Sequence, residues 1–139
     1  PIKLKKNLKE FDEDIIKLSI YYPENNAREF FYKNVQAHFS KHYEIVLGHS
    51  VWIDLTLKGV NKGRALKELA DSLSIKFDEM MAFGDAMNDK EMLESVKYSY
   101  IVENAQDELK EFAQFITESN EKNGVLKVLN EVIYSKNKK

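Results

Sequence analysis

Met80-Met81-Ala82-Phe83-Gly84-Asp85-Ala86-Met87-Asn88-Asp89-Lys90-Glu91-Met92-Leu93 decides how this sequence folds. Its first part is an apolar run of strand type that ends at a glycine, and a short polar turn then opens a helix running from about Asp89 to Ser95. The turn carries two carboxylates and one carboxamide, Asp85, Asn88 and Asp89. Ligands of open α/β sheets bind beyond the carboxyl ends of the strands. Hard oxygen donors gathered there suit Mg²⁺, which takes carboxylates, waters and a phosphate. The same spacing has a purely structural account. Asn88 can be a helix N-cap with Glu91 completing a capping-box-like pair, and Asp85 an ordinary turn residue.

Downstream, Tyr98 to Val102 reads as a short buried strand. Asn104 is placed to cap a helix from about Gln106 to Ala113, Gln114 to Thr117 reads as another strand, and Val125 to Tyr134 as a closing helix. The Lys136-Asn137-Lys138-Lys139 tail is expected to be disordered. Upstream, Leu66, Leu69, Ala70 and Leu73 line one face of a helix that Asn61 can cap, and Ser74 to Asp78 is a loop. Strands alternating with helices predict βαβ units and a parallel sheet.

Lys58-Gly59-Val60-Asn61-Lys62-Gly63 interrupts the pattern, so the domain boundary falls there, with residues 1–58 as one unit and 59–139 as the other. In the first unit, residues 1–13 are charged and poorly patterned. Ile15 to Tyr22 reads as a strand, and Ala27 to Phe39 as an amphipathic helix through Phe30, Phe31, Val35 and Phe39. Tyr43 to Leu47 and Val51 to Leu57 read as two further strands. Val51, Ile53, Leu55 and Leu57 alternate with Trp52, Asp54 and Thr56, one face buried and the other more exposed. Trp52, Tyr43 and the three phenylalanines are expected in the core of this small α+β unit.

Composition narrows the classes. Hydrophobic residues at 43% and charged residues at 32% describe a soluble globular protein, and a net charge of -2 gives no reason to expect nucleic acid or an anionic membrane as partner. Cysteine is absent, which excludes disulfides and thiolate chemistry and makes a reducing compartment, the cytoplasm, the expected home. No apolar run approaches the roughly 20 residues of a membrane span. His38, His42 and His49 match no metal-ligand spacing and are expected to be scattered on the surface.

A second element bears on the turn: Val60-Asn61-Lys62-Gly63-Arg64-Ala65-Leu66. A cation in a first helical turn gains nothing from the macrodipole. Lys62 is then either a solvated surface residue, or it neutralises a phosphate together with the free N–H groups of the helix start. In order and spacing, this Lys-Gly helix start and the later strand ending Gly84-Asp85-x-x-Asn88-Asp89, with Met92-Leu93 after it, resemble the third and fourth motifs of the haloacid-dehalogenase-like phosphatases. Within that family the likeness is to the Cof-type sugar-phosphate phosphatases with a large α/β cap, and it covers nearly the whole chain. Trp52-Ile53-Asp54-Leu55, Asn104-Ala105, Asn120 and Asn123-Gly124-Val125 also fit that branch.

The resemblance implies an α/β fold: the carboxyl-terminal half of a Rossmann-type three-layer core with parallel strands, preceded by part of an α+β cap. It implies a Mg²⁺-dependent phosphomonoesterase of small phosphorylated metabolites such as sugar phosphates, working through an aspartyl-phosphate. By the same resemblance Asp85 is a Mg²⁺ ligand and Asn88 contacts substrate or phosphate. Asp89 holds a metal-bound water or the lysine, and Lys62 neutralises the transferring phosphoryl group and the nucleophile. His49, Ser50 and Trp52 are lesser candidates to face the leaving group.

The family's nucleophilic Asp-x-Asp-Gly-Thr motif and the Ser or Thr of its second strand have no counterpart in this sequence. Phe11-Asp12-Glu13-Asp14 has the carboxylates without the preceding strand or the glycine, as a solvated turn does. The chain is therefore expected to be inactive alone. Met80 to Phe83 is expected to lie at an exposed sheet edge that associates with the amino-terminal half or with itself. The alternatives are a non-catalytic binding module on the same fold and one half of a split enzyme.

Overall fold

The computed structural model describes residues 7, 9, 14–24, 27–48 and 51–136. The Phe11–Glu13 acidic stretch, His49, Ser50 and the tail beyond Lys136 lie outside these residues. Two three-stranded sheets organise the chain, one antiparallel in the order β1-β3-β2 and one parallel in the order β4-β5-β6.

The antiparallel sheet pairs β1 (Leu18–Tyr21) and β2 (Tyr43–Gly48) with β3 (Trp52–Leu57) between them. A helix links β1 to β2: α1 (Ala27–Phe30) continues through a π-helical segment (Phe31–Gln36) into α2 (Ala37–Phe39). Period-two alternation sends Ile53 and Leu55 under this helix, where they pack with Phe31 and Val35. The structure departs from the sequence pattern at four places. Leu57, on the buried side of the alternation, is 61% exposed at the end of β3, because the buried cluster stops at Leu55. Ile15 and Ile16 precede β1 and are exposed. Phe39 is 46% exposed, because the buried stripe narrows to Phe31 and Val35. Tyr43 and Trp52 lie outside the core, with Trp52 44% exposed, since its strand phase puts it on the opposite face from Ile53.

The second unit opens with α3 (Lys62–Leu73), capped by the Asn61 side chain, which accepts from the Arg64 N–H at 2.8 Å. Its buried stripe is also narrower than predicted. Gly63, Leu66 and Ala70 face inward, whereas Leu69 and Leu73 are 53% and 58% exposed, because the helix lies chiefly against a single neighbour, α4 (Lys90–Ser95). The parallel sheet follows: β4 (Met81–Gly84), β5 (Tyr98–Val102) and β6 (Phe115–Thr117). The register sets Ala82 beside Ser99 and Gly84 beside Ile101 on one face. That face joins Leu93, Val96 and Leu109 in the larger core. Phe83, Tyr100 and Phe115 stack in a row across the other face, at 5.3 and 4.9 Å between ring centres.

Buried Ser99 is satisfied by accepting the Gln114 N–H at 3.1 Å. The expected helix after β5 is a 3₁₀ segment (Asp107–Phe112), and Asn104 does not cap it; its side chain instead accepts from the Asn120 N–H at 3.2 Å. A 3₁₀ turn (Asn120–Lys122) and α5 (Gly124–Lys136) complete the described chain. Among the described residues no helix is long and apolar enough to cross a membrane.

Candidate active site

The site begins with how tightly the chain folds back at the end of β4. Beyond Gly84 the backbone enters a 3₁₀ turn (Met87–Asp89) that leads into α4. Asp89 tucks its carboxylate under this turn: one oxygen, Oδ2, accepts the N–H groups of Asp85 at 3.0 Å and Ala86 at 3.3 Å. Only glycine permits this at position 84, where a Cβ would stand 2.7 Å from the Cβ of Asp89. The capping arrangement expected of Asn88 and Glu91 is therefore not formed. The buried carboxylate next door has taken the turn's N–H groups, and Asn88 is left inside the 3₁₀ turn facing a cavity.

The other oxygen of Asp89, Oδ1, pairs with the Lys62 ammonium. A carboxylate this deeply buried, with 4% of its side chain exposed, requires such partners. The pair exists because α3 starts against α4. At Gly63 an added Cβ would meet the Cβ and backbone carbon of Glu91 at 2.6 and 2.7 Å, so the glycine after the lysine sets the approach that brings Lys62 to Asp89. With 50% of its side chain exposed, Lys62 keeps donor capacity for an anion on the open side.

Gln106, which sequence reasoning passed over, holds the turn from the neighbouring strand. Its side-chain oxygen accepts the Met87 N–H at 2.8 Å, and its own N–H donates to the Asp85 carbonyl at 3.0 Å. The available signal was positional: it follows β5 at the same end of the sheet as the Asp85 turn. Asp85 is exposed at the mouth of the site.

Lys62, Asp85 and Asn88 line one cavity of about 300 Å³. Its opposite wall comes from the antiparallel sheet: Lys17, Ser19, Trp52 and Asp54. Asp54 accepts from the Ser19 hydroxyl at 2.6 Å and from the Lys17 ammonium at 3.1 Å. The polar face of the first unit thus roofs the turn of the second. In the sequence, Asp54 is marked only as a residue of the more exposed face of its strand. Among the described residues, no three His, Asp or Glu side chains cluster to hold a metal. With Asp89 committed to Lys62 and two N–H groups, Asp85 is the carboxylate this turn offers to a cation. One carboxylate fits Mg²⁺, which keeps several waters and completes its shell with phosphate oxygens rather than a closed protein cage.

The sequence profile described as haloacid dehalogenase-like hydrolase matches residues 2–129. A Bacillus subtilis 5-amino-6-(5-phospho-D-ribitylamino)uracil phosphatase is 40% identical over 81 residues, which cover 58% of this chain and 28% of that protein. An HMP-PP phosphatase of Citrobacter koseri is 57% identical over 51 residues, 37% of this chain and 19% of the other. Among solved structures, a Streptococcus mutans protein superposes with a TM-score of 0.81 at 30% identity, covering 93% of this chain and 48% of its own. The chain thus spans well under two thirds of the length of each of these relatives.

Proposed function

The chain belongs to the haloacid dehalogenase-like hydrolases, and from that premise we propose that it supplies one side of the active site of a phosphomonoesterase acting on small phosphorylated metabolites. The observation that carries the reading is the Lys62–Asp89 pair, which fixes an ammonium beside Asp85 and Asn88 at the carboxyl end of β4. The phosphatases named above support it. They act on different esters, so the reading stops at the class.

In this reading Lys62 meets the dianionic phosphate with charge, and Asn88 orients it by hydrogen bonding. Asp89 holds Lys62 in place and, through the Asp85 and Ala86 N–H groups, keeps the turn rigid. Asp85 would hold Mg²⁺. A bound Mg²⁺ supplies charge that stabilises phosphoryl transfer. The nucleophilic aspartate that forms the aspartyl-phosphate comes from outside this chain's motifs, so the chain by itself binds phosphate without turning it over.

Titration with inorganic phosphate in the presence of Mg²⁺, followed by amide chemical shifts, tests this. Shifts are expected at residues 62 and 85–89, and they should be lost in Lys62→Met. A spectrum indifferent to phosphate would overturn the phosphate reading. Turnover of p-nitrophenyl phosphate by this chain, abolished in Asp85→Asn, would overturn the claim that the nucleophile lies elsewhere.

A further inference from the structure

The wall opposite Lys62 and Asp85 has a chemistry of its own. β1 and β3 pair Ser19 with Asp54 and Tyr21 with Trp52, so these side chains share the sheet face that looks at the turn. Lys17 stands just before β1. Asp54 is the hub: one oxygen takes the Ser19 hydroxyl, the other the Lys17 ammonium. Neither group is sealed, with 52% of the Lys17 side chain and 31% of that of Asp54 exposed. Trp52, its ring 4.8 Å from that of Tyr21, presents a partly exposed indole beside them.

We infer that Lys17, Ser19 and Asp54 form a charge-balanced recognition set that selects the leaving group by its charge. The inference rests on the phosphatase reading, in which a phosphate at Lys62 and Asp85 directs the rest of the ester across the cavity to this wall. The Lys17 and Asp54 charges cancel. A neutral hydroxylated group can accept from Lys17 and donate to Asp54 or Ser19 while the pair stays intact. A leaving group with its own charge must compete with one member of the pair, leaving the other short of its partner. Neutralising one member should therefore redirect the preference: Asp54→Asn frees Lys17 for an anionic leaving group, and Lys17→Met frees Asp54 for a cationic one.

Three six-carbon phosphate esters make the test: glucose 6-phosphate, glucosamine 6-phosphate and 6-phosphogluconate, neutral, cationic and anionic away from the phosphate. Each is compared between the unaltered chain and its variants, so that differences of ring and open chain cancel. Their affinities for the whole chain with Mg²⁺ are measured by chemical-shift titration, with inorganic phosphate as the reference ligand. The unaltered chain is expected to favour the neutral ester. In Asp54→Asn the ratio should move about three- to fivefold toward 6-phosphogluconate, and in Lys17→Met about as far toward glucosamine 6-phosphate, the scale of a partly exposed ion pair. Opposite shifts in two variants cannot come from a common loss of folding. If inorganic phosphate binds but the three esters bind alike, or both variants shift the same way, the inference is overturned while the phosphatase reading stands. If inorganic phosphate itself does not bind, that reading falls and this inference with it.

Discussion

Asp89 is the residue on which the candidate site turns. It ties together a helix start, a turn and a strand end through three accepted hydrogen bonds, one from Lys62 and two from backbone N–H groups. Asp89→Ala would strand two N–H groups at the turn and release Lys62. We expect a loss of about 1–3 kcal/mol in urea unfolding, the usual cost of unsatisfied buried groups, together with loss of phosphate binding. Wild-type stability in the variant would show that the turn does not depend on this carboxylate. The residue types were readable beforehand; their division of labour was not. Asn88 and Asp89 are adjacent and both able to cap. Which one folds under is decided by the missing Cβ of Gly84, a tertiary approach that spacing along the chain does not record.

At the scale of elements, alternation of strands and helices foretold the parallel sheet, and period two foretold the burial of Ile53 and Leu55, though not the exposure of Leu57 at the end of β3. Lengths and helix types were less legible. The Asp107–Phe112 segment has helix-forming residues yet closes as a 3₁₀ turn, and Asn104 serves a different segment. Competition among tertiary partners set these outcomes. β4 is paired on one side only, with β5, among the described residues. Phe83 of this strand begins the aromatic row that crosses the sheet face through Tyr100 to Phe115 on β6, the opposite edge strand. An apolar strand with unpaired N–H and C=O groups is a template for another chain. Analytical ultracentrifugation of this chain is therefore expected to show concentration-dependent association, weakened by a lysine at Phe83. A single monomeric species across the micromolar range would contradict it.

For the molecule as a whole, the contact between the two units decides whether roof and floor meet. Besides the cavity walls, an ion pair bridges them, Arg28 of α1 to Glu108 of the 3₁₀ segment at 3.2 Å. The Glu108 carboxyl is held below its ordinary value of 4.5, first by a backbone N–H of its own residue and then by Arg28, whose own value is raised chiefly by Glu108. A lowered carboxyl contributes stability that is complete above its ordinary value and fades as the pH falls through the lowered one. The bridge should therefore hold at neutral pH and loosen in acid below about 4.5. Being exposed, it should also weaken with salt. Amide exchange at 107–112, corrected for intrinsic rate, should quicken in Arg28→Ala at pH 7 and differ little from wild type at pH 3. Equal gaps at both pH values would refute the bridge. Nothing in the sequence pairs residues 28 and 108, which meet only when the units dock.

Roof and floor are built on separate foundations. The side chains of the roof stand on a sheet whose underside is secured by Phe31, Val35, Ile53 and Leu55, while the floor belongs to the core around Leu93, Ile101 and Leu109. Among the described residues, no buried one is common to the two. Natural selection can thus rewrite positions 17, 19, 52 and 54 without disturbing either foundation or the Lys62–Asp89 pair. Under the proposed function, such an architecture would let a lineage explore new substrates by point mutation while the residues around Lys62 and Asp89 are inherited unchanged.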